Sequence, residues 1–276
     1  MDAGATTDAA GVDAAQDAEA GTCSQGCTGT PPAGAFCTVS ADAQFVDTQG
    51  APVVGQVILL CGLNLCSTPV KTNTQGKVHF NLCLNMKSPA LKYMGHSSYV
   101  SFGAAMTTPT ETFPPATLVA LPAQGMAIPS GAGTVTSGPV TLKLGSGMVT
   151  FDPTQPNDPS SLEFRAAAMT PAQAPPGFDA SLGVKALWGL SPANAKLGSP
   201  GVLTVPNPDP SGWPAGTIVD FVLNGLDESP SPVVPYGAWG RVSTGTVSAD
   251  GKTITTDSGA GNGLPILGLV GVGPHK

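Results

Sequence analysis

Apolar and polar residues alternate along this chain in short runs, and the runs are cut by Gly, Pro, Asn and Asp. That period of two predicts strands rather than helices. From Ala43 to Cys61 the order reads strand, turn, strand, with Gln49-Gly50 at the turn and an apolar stretch from Val53 to Leu60. Pro69 to Phe80 gives a further strand pair around Gln75-Gly76. Residues 122–138 lose the alternation and are rich in Pro, Gly and small side chains, which predicts a linker. Alternation returns in Pro139 to Leu144 and continues through Met148 to Phe151 and around Leu162 to Ala166. The last ninety or so residues hold the sharpest patterns: Val202 to Asn207, then Ile218 to Leu223, Trp239 to Val242, and Gly245 to Ile254. Asp250-Gly251 within the last of these is the strongest hairpin signal in the chain.

Composition sharpens this into a fold class. Charged residues are only 11% of the 276, while Gly (36) and Pro (28) are abundant and hydrophobic residues reach 41%. Long amphipathic helices need charged faces and disfavour Gly and Pro, so the chain reads as all-β, with a real core to bury. The expected architecture is two β-sandwich domains in tandem, over 23–121 and 139–276, behind a tail at 1–22. That tail holds Asp2, Asp8, Asp13, Asp17 and Glu19 with no base and few large apolar groups, so it is expected to be a disordered acidic spacer. The net charge is −7, and without the tail the body is near neutral, which disfavours a nucleic-acid partner. No apolar run is long enough for a transmembrane span.

All six cysteines (Cys23, Cys27, Cys37, Cys61, Cys66 and Cys83) fall in the first third. Such clustering predicts disulfides that staple a small front unit in an oxidising compartment, with the pairing left open. An exported protein of the cell envelope or extracellular space is therefore expected, and Met1 reads as a start added to a mature chain whose export signal was trimmed. The acidic Ala/Gly tail resembles the spacers behind the lipid anchor of bacterial surface lipoproteins, which implies an anchor lying outside this sequence. The rival reading of the cysteines is a zinc site from Cys23, Cys27 and Cys37 with His79 or Cys61. Their spacing is looser than that of zinc knuckles.

Two resemblances bear on fold. Gly50, Pro52, Gly55, Val57 and Leu59, followed by Thr72, Asn73, Gly76, Val78 and Phe80, resemble the carboxypeptidase regulatory-like module, a transthyretin-type β-sandwich, over about 43–121. This implies a spacer or accessory domain without an active site. Leu203, Thr204, Pro206, Asn207, Pro214, Gly216 and Thr217, then Trp239, Gly245, Val247, Asp250, Gly251 and Ile254, are similar to ZU5-like and plug-type β-sandwich modules of bacterial surface proteins, over about 182–272. Both speak to fold and not to chemistry.

Catalytic patterns are thin. The histidines are His79, His96 and His275, and no G-x-S-x-G elbow accompanies them. His96, in a Gly-His-Ser-Ser loop, is the one around which a hydrolase site is expected if there is one. Asp257-Ser258-Gly259 lacks the second matching carboxylate that aspartic-protease chemistry needs, because Asp47-Thr48-Gln49 breaks the pattern. Glu163, Asp179, Asp220, Asp227 and Glu228 show no spacing that selects a glycosidase pair. Gly259 to Gly263 precedes neither a helix nor a Lys, so it reads as a turn and not a phosphate cradle. Asp152, Asn157, Asp158, Asn207 and Asp209 lie in Pro-rich loops, where calcium is conceivable and side-chain turns are commoner. Trp213 is the candidate aromatic platform for a sugar, although a chain with few aromatics needs most of them in its core. The expected function is thus a non-catalytic, cofactor-free surface protein with a structural, presentation or adhesion role, whose partners are other envelope or extracellular proteins. The alternative is a carbohydrate-binding module for polysaccharide.

Overall fold

The computed structural model describes residues 27, 30–152, 162–259 and 262–276, and every described element is a strand or a single 3-10 turn. The acidic tail at 1–22 lies outside these residues, as does Cys23. The chain is all-β. In the front part, β1 (Ala35–Val46), β4 (Lys77–Lys87), β7 (Thr110–Thr112) and β8 (Ala116–Thr117) form one sheet. β2 (Val57–Cys61), β3 (Val70–Lys71), β5 (Ala90–Tyr93) and β6 (Phe102–Ala105) form the facing one. Alternation sends Ala41, Ala43 and Phe45 of β1 and Val78 and Phe80 of β4 inward. There Phe45, Tyr93 and Phe102 meet with ring centroids 5.8–6.4 Å apart, spacings typical of favourable aromatic pairs.

The two Gly turns do not make hairpins. β1 and β2 flank Gln49-Gly50 but belong to opposite sheets, and so do β3 and β4 around Gln75-Gly76. Both turns are corners at which the chain changes layer, which differs from the strand pair the sequence suggests at 69–80. Side chains set the corners: Asp47 Oδ1 accepts the N–H groups of Gln49 and Ala51, and Asn73 Oδ1 accepts those of Gln75 and Lys77. Gly76 is required at its corner, because φ is +70° and a Cβ there would lie 2.3 Å from the Phe45 carbonyl oxygen.

The second part is one twelve-stranded sheet and not a second sandwich of separate layers. Its spine runs β10 (Gly133–Ser137), β11 (Val140–Leu144), β15 (Lys196–Pro206), β18 (Thr253–Thr256), β17 (Trp239–Val247), β16 (Ile218–Asn224), β20 (Leu269–Pro274), β14 (Ala186–Ser191), β13 (Glu163–Met169) and β9 (Met126–Ala127). β12 (Val149–Thr150) and β19 (Leu264–Ile266) attach to β15. A sheet this wide curls under its own twist. Its ends nearly meet, and the Ser137 hydroxyl on β10 accepts the Ala166 N–H of β13 at 2.9 Å. Strands β9 and β10 both come from 122–138, the stretch that reads as a linker: its Gly and Pro residues hide two short edge strands. The Asp250-Gly251 hairpin forms as its sequence predicts, with Val247 opposite Ile254 and φ +73° at Gly251.

One wall of this near-barrel is buried on both faces. Phe164, Trp188, Leu190, Phe221, Leu223, Val270 and Val272 point into the barrel core. Their neighbours Ala167, Met169, Leu187, Val222 and Leu269 belong to the core of the front sandwich. That is why β16 and β20 read as nearly continuous apolar runs. Gly189 gives the closest approach, since a Cβ there would sit 2.2 Å from a Val100 methyl. Asn224, on the outward face of β16, clamps the backbone of β6: its Oδ1 accepts the Gly103 N–H at 2.7 Å and its Nδ2 donates to the Gly103 carbonyl at 2.9 Å. An asparagine that supplies both partners of a buried backbone pair fixes register as well as contact.

Candidate functional site

Where the front sandwich meets the barrel end, a cleft of about 300 Å³ opens between the two. Lys92 reaches it from β5, Thr150 and Phe151 from β12 and its exit, Asn194 from the turn before β15, and Lys196 from the first position of β15. The opposite side is the loop after β16, with Asp227, Glu228 and Ser229. Phe151 is half-buried against the barrel core.

The charges are arranged in pairs. Lys92 Nζ lies 2.6 Å from Glu228 Oε1, with its own side chain only 4% exposed. Lys196 Nζ lies 3.0 Å from Asp227 Oδ2. Burial pushes the Asp227 carboxyl up, but donors from Lys196 and from the Ser229 N–H and hydroxyl outweigh it and hold the group below the usual carboxylate range. Asn194 Nδ2 donates to Asp152 Oδ2 at 2.5 Å. A carboxylate only accepts, so the amide orientation is settled, and Asn194 Oδ1 is left as a buried acceptor with no partner among the described residues. Asn194 also sits at φ +63°, a left-handed conformation that Asn tolerates. Tyr236 lies behind the cleft. Burial and the nearby charges of Glu228 and Asp152 push its hydroxyl well above its ordinary value.

The sequence-level candidates scatter. Cys27 bonds Cys37 and Cys61 bonds Cys66, and Cys83 is disulfide-bonded as well. Among the described residues no cysteine is free. The sulfurs of Cys61 and Cys66 lie within 4.8 Å of a Glu228 oxygen, but in a disulfide they are not thiolate donors. With Cys27 and Cys37 joined and His79 Nδ1 2.8 Å from Asp42, the zinc grouping does not assemble. His96 lines a separate hollow of about 370 Å³ with Gln56, Met94 and Ser98, and its carbonyl accepts the Ser191 hydroxyl.

Trp213 is 7% exposed and packs in the barrel core, so its ring offers no platform. Trp188 is buried too, and Trp239 stacks edge-on with Phe178. Asn207 and Asp209 hold their own loop: the Asn207 amide donates to the Trp213 and Gly251 carbonyls, and Asp209 accepts the Gly212 N–H. Asn157 and Asp158 lie outside the described residues. Asp257 takes the Thr244 and Thr246 hydroxyls. Of the carboxylates, Glu163 pairs with Arg165, Asp179 caps a 3-10 turn, and Asp220 holds Arg241 and His275.

The structure therefore brings Asp227 and Glu228 together with Asp152, and adds Lys92, Phe151, Asn194 and Lys196, which sequence reasoning missed. A signal was present. In a chain so poor in charge, Leu-Asp-Glu-Ser directly after an apolar strand marks a loop where charge has a task. Among the described residues, no helix is long and apolar enough to cross a membrane. No protein-family model matches the chain, and no curated protein matches it. Among solved structures it is similar to "a putative carbohydrate binding protein" from Bacteroides uniformis, at 9% identity and a TM-score of 0.23, over 87% of this chain and 97% of that one. A likeness at that level leaves the reading to the residues themselves.

Proposed function

We propose that the chain is an exported, non-catalytic protein of the cell surface or extracellular space, in which a stapled sandwich and a near-barrel act as one body with a structural or adhesive role. The doubly buried wall of β13, β14, β20 and β16 carries this reading. Two β units that share a core resist being pulled or pivoted apart, which suits a part that presents or holds a partner. The disulfides Cys27–Cys37 and Cys61–Cys66 support export, since such bonds persist in oxidising compartments. The partners on this reading are other envelope proteins or a polysaccharide.

The test is to alkylate the natively expressed protein without reductant, fractionate the cells, and map the thiols by mass spectrometry. Unmodified cysteines in the envelope or medium fraction are expected. Six alkylated thiols in a cytosolic fraction would overturn the reading.

A further inference from the structure

We propose that the cleft between Phe151, Asn194 and the 227–229 loop binds a neutral saccharide. The inference rests on the polysaccharide side of the reading above and gives it a place and a chemistry. A volume of about 300 Å³ is at the small end of ligand pockets and holds roughly one or two sugar rings.

The charge pattern selects against ions. Lys92 is already neutralised by Glu228, and Lys196 by Asp227. A divalent cation at these carboxylates would face both ammonium groups at close range, and an anion would face three carboxylates. A sugar hydroxyl, which donates and accepts at once, needs no pair to break: it donates to a carboxylate lone pair left over and accepts from a lysine N–H. Held by their partners, these groups lose little freedom on binding.

Asn194 lines the cleft with its amide nitrogen held by Asp152. Phe151 supplies the apolar surface on which the C–H face of a pyranose rests. Thr150, exposed beside it on a two-residue strand, stands at the rim.

The full chain is screened on an array of neutral cello-, xylo-, manno- and N-acetylglucosamine oligosaccharides, and the strongest binder is titrated calorimetrically in EDTA. CaCl₂ alone is titrated in parallel. The expected result is binding of at least one neutral oligosaccharide that persists in EDTA and weakens at least tenfold in Thr150→Trp, which fills the rim, and in Phe151→Ala. Thr150→Trp touches no core position, so it keeps the test decisive should Phe151→Ala unfold. No binder on the array, a binder whose affinity stays within twofold in Thr150→Trp, or heat from CaCl₂ alone would each overturn the proposal. The thiol map and fractionation read export independently, so either idea can fail while the other stands.

Discussion

Substituting Gly189 by Ala tests whether the two parts share one core. A Cβ at this position would lie 2.2 and 2.3 Å from the two Val100 methyls and 2.7 Å from the Val100 Cβ, where apolar carbons rest at about 3.5–4.0 Å. Val100 is β-branched and stiff at χ1, and it is only 3% exposed, so it cannot swing aside. The sandwich must then shift off β14. Overpacking of this kind costs about 1–3 kcal/mol, and a clash with a rigid side chain belongs at the upper end. Val100→Ala alone removes two methyls and leaves a hole, a loss of about 2 kcal/mol. In the double variant the methyl introduced at position 189 occupies space that Val100 vacated. The clash falls to one contact, with the Cβ of residue 100 at 2.7 Å, so the two effects should compensate in part, with a coupling of about 1 kcal/mol or more, within the range that contacting residues show. Equilibrium urea unfolding of the four proteins measures the cycle. If the double variant equals the sum of the singles to within about 0.5 kcal/mol, Val100 does not seat on Gly189 and the shared wall is wrong.

Three further outcomes follow from the same geometry. Asn224→Ala leaves the Gly103 N–H and carbonyl without their clamp, a loss of about 2–4 kcal/mol in urea unfolding; a loss under about 1 kcal/mol would show that water replaces the amide. Replacing both Cys27 and Cys37 by Ser should cost more than replacing Cys61 and Cys66, about 3 against about 2 kcal/mol, because the first bond closes a separation of 10 residues and the second of 5; the reverse order in thermal melts would contradict the loop-closure argument. Asp227 titrates below its ordinary value, so folding favours its charged form. Its stabilisation is complete above the unfolded pKa near 4 and is lost as pH falls through the lower folded value. The melting-temperature gap between wild type and Asp227→Asn should accordingly be full at pH 6 and close below that window, and a gap that persists at the acid end would refute it.

The all-β class was legible because alternation, turn residues and the lack of charge all point one way. Local elements followed where a turn had its own chemistry, as at Asp250-Gly251. The layout between elements was not legible. Gln49-Gly50 and Gln75-Gly76 look like hairpin turns, but a turn records only its own dihedrals, and whether the flanking strands pair or part is decided by which face each strand buries. The 122–138 stretch misleads for a related reason. β9 is two residues long and exposed, and β10 alternates for only five residues, so neither separates from linker composition. The cleft was invisible in the same sense, since Lys92 and Glu228 are 136 residues apart. Trp213 drew attention as an aromatic among turn residues, but its neighbourhood of Pro and Gly belongs to the loop that folds the ring inward.

The shortage of charge takes on a physical meaning in this arrangement. An isolated barrel needs polar outward positions around its whole circumference, but here four neighbouring strands face another protein layer and carry Met169, Leu187, Val222, Asn224 and Gly271 instead. Where a charge of the sandwich enters that junction it arrives with a partner on the barrel: Lys92 with Glu228. A buried pair adds little net stability against apolar residues of similar size, yet losing one member is costly. Such a pair therefore penalises any docking of sandwich on barrel other than the native one. Lys92 makes the point most directly, because a shift of β5 along the barrel by one residue would send its ammonium into apolar surroundings and leave the Glu228 side of the cleft unpaired. The groups that line the cleft are thus the same groups that fix how the two parts meet.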